Sequence, residues 1–180
     1  MVLFPTVTVL LISPNGGFDL VAYQYKHIEL GLAETFGINM QNLPAFRARI
    51  RHLRNLGVPA ISRPGRGQQV TYTRAHALQL LLALEAELMG IPPKFAASLS
   101  RSRFNELAGK ADSALKDGRK FVVSVDPKFS FNPNDAAVFV NRSEKGIPLV
   151  DEYAHRALVI NLATSISLLD RALKKAVGHD

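Results

Sequence analysis

The stretch Asn42-Leu-Pro-Ala-Phe-Arg-Ala-Arg-Ile-Arg-His-Leu-Arg-Asn-Leu-Gly57 decides how this chain is read. Asn42 is placed to cap a helix, Pro44 sits in its first turn, and Gly57 is a stop. Phe46, Ile50 and Leu53 are spaced i, i+4, i+7, so they share one buried face. Arg47, Arg51 and Arg54 repeat that spacing on a second stripe turned away from the core. The helix is apolar on one side and purely cationic on the other.

The charge pattern extends well beyond this helix. Between Glu34 and Glu85 there is no Asp or Glu, and the window holds seven arginines: Arg47, Arg49, Arg51, Arg54, Arg63, Arg66 and Arg74. The chain has 22 Lys+Arg and 15 Asp+Glu, so its net charge of +7 equals the contribution of this window. A concentrated basic block is the electrostatic footprint of a polyanion partner. Arginine strengthens that reading, because its guanidinium fork grips phosphates and guanine edges bidentately. The plain alternative is a solvated helix face, which normally mixes both signs of charge.

Around the basic helix the elements fall in a definite order. Tyr25 to Phe36 has helical spacing at Ile28, Leu32 and Phe36, and Gly37 ends it. After Gly57, β-prone stretches flank Pro64-Gly65-Arg66-Gly67, which predicts a hairpin with an arginine at its tip. Gln68 in this hairpin is either a base-contacting side chain or a plain strand position. Thr73 is placed to cap a long helix through Met89, apolar nearly all round and therefore central. Gly90-Ile-Pro-Pro93 stops it. Lys94 to Leu99 reads as a short further helix, and Ser98 to Arg103 either as a modified or phosphate-binding stretch or, more simply, as a solvated linker.

The remainder has another character. Phe121–Val125 and Ala136–Val140 are β-prone runs with turn signals between them, and Leu158–Ile160 reads as a third strand. A last helix, Leu162 to Val177, carries Leu162, Ile166, Leu169, Leu173 and Val177 on one stripe. That stripe reads either as a dimerising surface or as packing within the monomer.

This order resembles the MerR family of transcriptional regulators over roughly Ile28 to Leu99. Ile28-Glu-Leu-Gly-Leu-Ala-Glu-Thr-Phe-Gly-Ile38 is similar to the family's first helix and the "G-V" after it. Arg49-Ile-Arg51 through Asn55-Leu-Gly57 is similar to the "T-L-R-Y-Y-E-x-L-G-L" recognition helix. Val70-Thr-Tyr72-Thr73 is similar to the end of its wing, and Leu88-Met-Gly-Ile-Pro-Pro-Lys-Phe-Ala96 to "L-x-x-L-G-F-S-L-E-E-I". The resemblance implies that Arg51 takes the recognition-helix arginine's place. It puts Tyr72 in the place of the wing tyrosine. Both would then face DNA or support that surface. His52-Leu53 replaces the family's aromatic pair, and its metal-binding cysteines are absent.

The expected fold class is therefore α+β: an N-terminal winged helix-turn-helix with a C-terminal β-hairpin plus helix region. Residues 1–24 form an N-terminal extension or strand, 25–105 the DNA-binding domain, and 106–180 a dimerisation or effector region. The expected DNA-binding residues are Arg47, Arg49, Arg51, His52, Arg54, Arg63, Arg66, Gln68, Tyr72 and Arg74. The expected dimerisation residues are Leu162, Ile166, Leu169, Leu173 and Val177.

Several classes are disfavoured. With no Cys, disulfide frameworks, thiolate metal sites and cysteine catalysis are excluded. The histidines lack metal-ligand spacing. Asp151, Glu152 and His155 have the spacing of a helical metal or acid–base group, though a surface turn is the simpler reading. No nucleophile–base–orienter set stands out, so neither enzyme activity nor a cofactor is expected. Val2 to Ile12 is too short to span a bilayer and lacks a signal peptide's basic region. These features point to a cytoplasmic, homodimeric regulator of transcription. Its partners would be double-stranded DNA and an unidentified effector or RNA polymerase, with no membrane. The rival reading is a DNA-architectural protein of a phage or mobile element, of the excisionase or small terminase type.

Overall fold

The structure, a computed structural model, describes residues 22–61, 70–116, 120–125, 138–143 and 158–178. In chain order the elements are α1 (Tyr25–Thr35), α2 (Leu43–Asn55), α3 (Arg74–Leu88) and α4 (Pro93–Lys116), then β1 (Lys120–Val125), β2 (Val138–Ser143), β3 (Leu158–Asn161) and α5 (Leu162–Val177).

Helices α1, α2 and α3 end with one local device. Phe36-Gly37-Ile38, Leu56-Gly57-Val58 and Met89-Gly90-Ile91 each place a glycine at positive φ just past the helix. The residue after each glycine then donates its N–H back into the last turn: Ile38 to Ala33, Val58 to Leu53 and Ile91 to Ala86, at 2.8, 3.0 and 3.1 Å. This closure satisfies carbonyls that the helix leaves open and turns an apolar side chain inward. Val58 and Ile91 are accordingly buried.

Helices α1 and α3 also begin alike. Tyr23 and Tyr72, each two residues before the helix, exchange backbone hydrogen bonds of 2.8 and 2.9 Å and hold the two helix starts together. Three residues past each cap residue stands a histidine. His27 Nδ1 accepts from the Gln24 N–H and His76 Nδ1 from the Thr73 N–H, as Glu or Gln does in a capping box.

The core centres on α3, whose Ala77, Leu78, Leu80, Leu81, Leu82 and Leu84 are all buried. Ile28 and Leu32 of α1, Ile50 and Leu53 of α2, and Leu99 of α4 join it. Leu162, Ile166, Leu169 and Leu173 of α5 belong to the same cluster. Helix α5 lies along α1 so closely that a Cβ on Gly31 would stand 2.8 Å from Leu173 Cδ2. Strands β1, β2 and β3 form an antiparallel sheet in the order β2-β1-β3, with Val123 opposite Val140 on one side and Ile160 on the other.

Three expectations are corrected here. The first is the fold class: the described residues are predominantly helical, with five helices, and no two-stranded wing is present among them. Among the described residues after α2, residues 58–61 form no strand. Val58 and Pro59 are buried, and the Ala60 N–H donates to Gln79 Oε1 of α3 at 2.8 Å. On its return the chain spends the backbone pairing of Tyr72 on Tyr23, ahead of α1, rather than on a neighbouring hairpin strand.

The second concerns the short helix after Pro93. It runs to Lys116, through the expected linker and across the 105/106 boundary. Ser100, which suggested solvent exposure, is buried because its hydroxyl donates to the Gln79 carbonyl at 2.6 Å.

The third is the α5 stripe. Leu162, Ile166, Leu169 and Leu173 pack inside their own chain, with Val177 partly buried beside them. They are therefore not available as a dimerising surface.

Candidate nucleic-acid interface

Helix α2 lies on the surface with Leu43, Phe46, Ile50 and Leu53 inward. At about 100° per residue, the direction opposite that buried face is occupied by Ala48 and Asn55, with Arg51 and His52 on either side. All four are exposed. The crest of α2 thus combines a small residue, an amide, an imidazole and a guanidinium, and α2 carries no acid.

The two flanks of α2 differ. Towards α1, Arg47 Nε lies 2.6 Å from Glu29 Oε1, whose side chain is only 9% exposed. Arg54 stacks over the Tyr25 ring, with its guanidinium carbon 4.6 Å from the centroid, an arrangement that holds a cation on an aromatic face. Tyr25 in turn packs 5.8 Å from Tyr72. Burial and the Glu29 charge hold the Tyr25 hydroxyl above its ordinary range, and its hydrogen bond to Arg54 opposes them. Towards α3, Arg49 Nε lies 3.4 Å from Glu87 Oε2.

The acid-free window is therefore not free of acids in space. Glu29 and Glu87 flank it in sequence and return to pair with Arg47 and Arg49. Arg74 is removed from the candidate interface altogether. Its guanidinium is clamped by Asp170, at 2.6 and 2.8 Å, and by Asp112 at 3.1 Å. The hydrogen bond to Asp170, although opposed by burial, raises its already high pKa further. The role of Arg74 is to tie the start of α3 to α4 and α5.

Tyr72 is also placed differently from a DNA-facing tyrosine. It is 2% exposed and lies beneath the surface, under Tyr25. Arg63, Arg66, Gln68 and the Asp151, Glu152 and His155 group lie outside the described residues. Of the expected residues, the structure places Arg51 and His52 beside the crest of α2, Arg47 and Arg54 on its flank towards α1 and Arg49 on its flank towards α3, and Arg51 has no ion-pair partner among the described residues.

Two residues at this surface escaped the sequence reading. Asn55 sits on the crest of α2, and a helical wheel drawn from Phe46, Ile50 and Leu53 would have found it. Arg101 of α4 reaches the end of α2, its Nη1 3.2 Å from where a Cβ on Gly57 would stand. No local signal announces Arg101, because its place depends on how α4 crosses α2.

No known protein family matches the chain, and no curated protein has a significant match to it. Among the described residues, no helix is long and apolar enough to cross a membrane.

Proposed function

We propose that this protein binds double-stranded DNA through α2 and acts as a sequence-specific regulator of transcription. The observation that carries the reading is the crest of α2, where exposed Arg51, His52 and Asn55 surround Ala48 with no acid on the helix. A major groove admits an α-helix, and a small residue at the crest lets the backbone approach the bases. Arginine matches guanine O6 and N7, and asparagine matches adenine N6 and N7. Arg47, Arg54 and Arg101 flank this crest where phosphates would run. The MerR-like sequence of α1 and α2 supports the same use of the basic helix. The reading needs no wing.

The test is fluorescence anisotropy with duplex DNA over a salt series, paired with selection of bound sequences from a random library. The three flanking arginines, Arg47, Arg54 and Arg101, in contact with phosphate predict a slope of log affinity against log salt of roughly −2 to −3. Arg51→Ala should relax preference at one base position by about 1–3 kcal/mol. Absent binding at low salt, or a salt-independent affinity, refutes the proposal. Salt-dependent binding with no recovered sequence motif would assign the protein to DNA architecture instead.

A further inference from the structure

Beside α2, on the flank away from α1, lies a cleft of about 430 Å³. It is lined by Arg49 and His52 of α2, Glu87 of α3, and the turn Gly90 to Pro93. The volume falls within the range of roughly 300–1,000 Å³ typical of small-molecule sites.

The cleft has an unfinished polar arrangement. The Glu87 side chain is 6% exposed, and its Oε1 is buried without a hydrogen-bond partner among the described residues. Buried polar groups are almost always paired, so an orphan carboxylate oxygen needs an explanation. Its other oxygen meets Arg49 at 3.4 Å, well beyond the ~2.7–2.9 Å of a strong charge-assisted contact. Burial also pushes the Glu87 carboxyl above its ordinary range, with Arg49 and His52 opposing it. One oxygen of the carboxylate lacks a donor among the described residues, and the arginine is only loosely held.

We infer that this cleft binds a small zwitterion, a free α-amino acid with an apolar side chain, between Arg49 and Glu87. The ligand's carboxylate lies on the Arg49 guanidinium beside His52. Its ammonium donates to Glu87, whose carboxylate rotates about its soft last bond to bring the unpaired Oε1 out to the cleft. Its side chain rests on Pro92 and Pro93 at the cleft edge. One long contact is thereby replaced by two charge-assisted ones. A simple anion is disfavoured because Glu87 repels it, and a simple amine because Arg49 does. The inference does not depend on DNA binding, since Arg49 and Glu87 lie off the crest of α2.

The experiment uses the full chain in isothermal titration and thermal-shift assays against each of the twenty common amino acids at millimolar concentration. At least one apolar amino acid should bind saturably and raise the melting temperature. Its deaminated acid and its decarboxylated amine should each bind about tenfold or more weakly, since each leaves one charged group unpaired. In Glu87→Gln the amino acid should lose its advantage over the deaminated acid. In Arg49→Gln it should lose its advantage over the amine, and Arg49→Lys should restore part of it. Circular dichroism melts check that each variant folds, and the analogue comparison on the wild-type chain stands without any variant. If no amino acid binds, if the truncated analogues bind equally well, or if folded Glu87→Gln and Arg49→Gln keep the wild-type preferences, the inference is wrong.

Discussion

Replacing Leu169 by alanine tests where the stripe on α5 is used. Leu169 is 0% exposed and lies in the core cluster with α1 and α3, whereas its neighbour Leu168 is 38% exposed. Truncating a fully enclosed leucine removes its transfer energy and leaves a cavity, which costs about 2–5 kcal/mol. Taking about 3 kcal/mol, and about 2–4 °C per kcal/mol for a chain of this size, the melting temperature should fall by roughly 6–12 °C. Leu168→Ala should change stability by less than about 1 kcal/mol. Urea unfolding followed at 222 nm gives both values, and an unchanged m value would confirm that only stability moved. Sedimentation velocity on the same samples reports the assembly state. If Leu169→Ala keeps the wild-type midpoint but lowers the sedimenting mass, the stripe is an interface and the packing argument fails.

Three further outcomes follow from single contacts. Gly31→Ala should destabilise by about 1–3 kcal/mol through overpacking against Leu173, even though alanine favours a helix. The double variant with Leu173→Ala should be less damaged than the sum of the two, as a double-mutant cycle by urea unfolding would show. Arg74→Gln leaves Asp112 and Asp170 without their cation. After allowing for their partial exposure it should cost about 1–3 kcal/mol in chemical denaturation, while leaving the salt slope of DNA binding unchanged. Burial lowers the pKa of His76, so its contribution is fully present above the unfolded value of about 6.5 and is lost as pH falls through that value towards the lower folded one. Glutamine preserves the capping-box acceptor. His76→Gln should therefore flatten the loss of melting temperature below about pH 6.5, and an unaltered acid slope would contradict the assignment.

Two of the helices are defined by local signals. The α2 helix is defined by Phe46, Ile50 and Leu53, by Pro44 in its first turn and by Gly57 after its last. Each of these acts within a few residues, so no tertiary information is needed to see them. Helix α3 is similarly announced by Thr73 and by its nearly unbroken apolar run. Helix α4 continues through Ser98 to Arg103, although that stretch is polar in sequence. A serine that satisfies itself against a neighbouring helix looks the same in sequence as one in water.

The wing failed for a related reason. Pro64 to Gly67 is a strong turn signal, but a turn does not determine what its flanks pair with. Tyr72 found Tyr23, about fifty residues earlier in the chain. Composition along the chain could establish that seven arginines share a window without acids. Only the tertiary structure could decide which of them remain available. Coulomb interactions depend on distance in space, and packing brought Glu29 to Arg47, Glu87 to Arg49, and Asp112 with Asp170 to Arg74. The same packing left Arg51 exposed beside Asn55 and placed Arg101 at the end of α2.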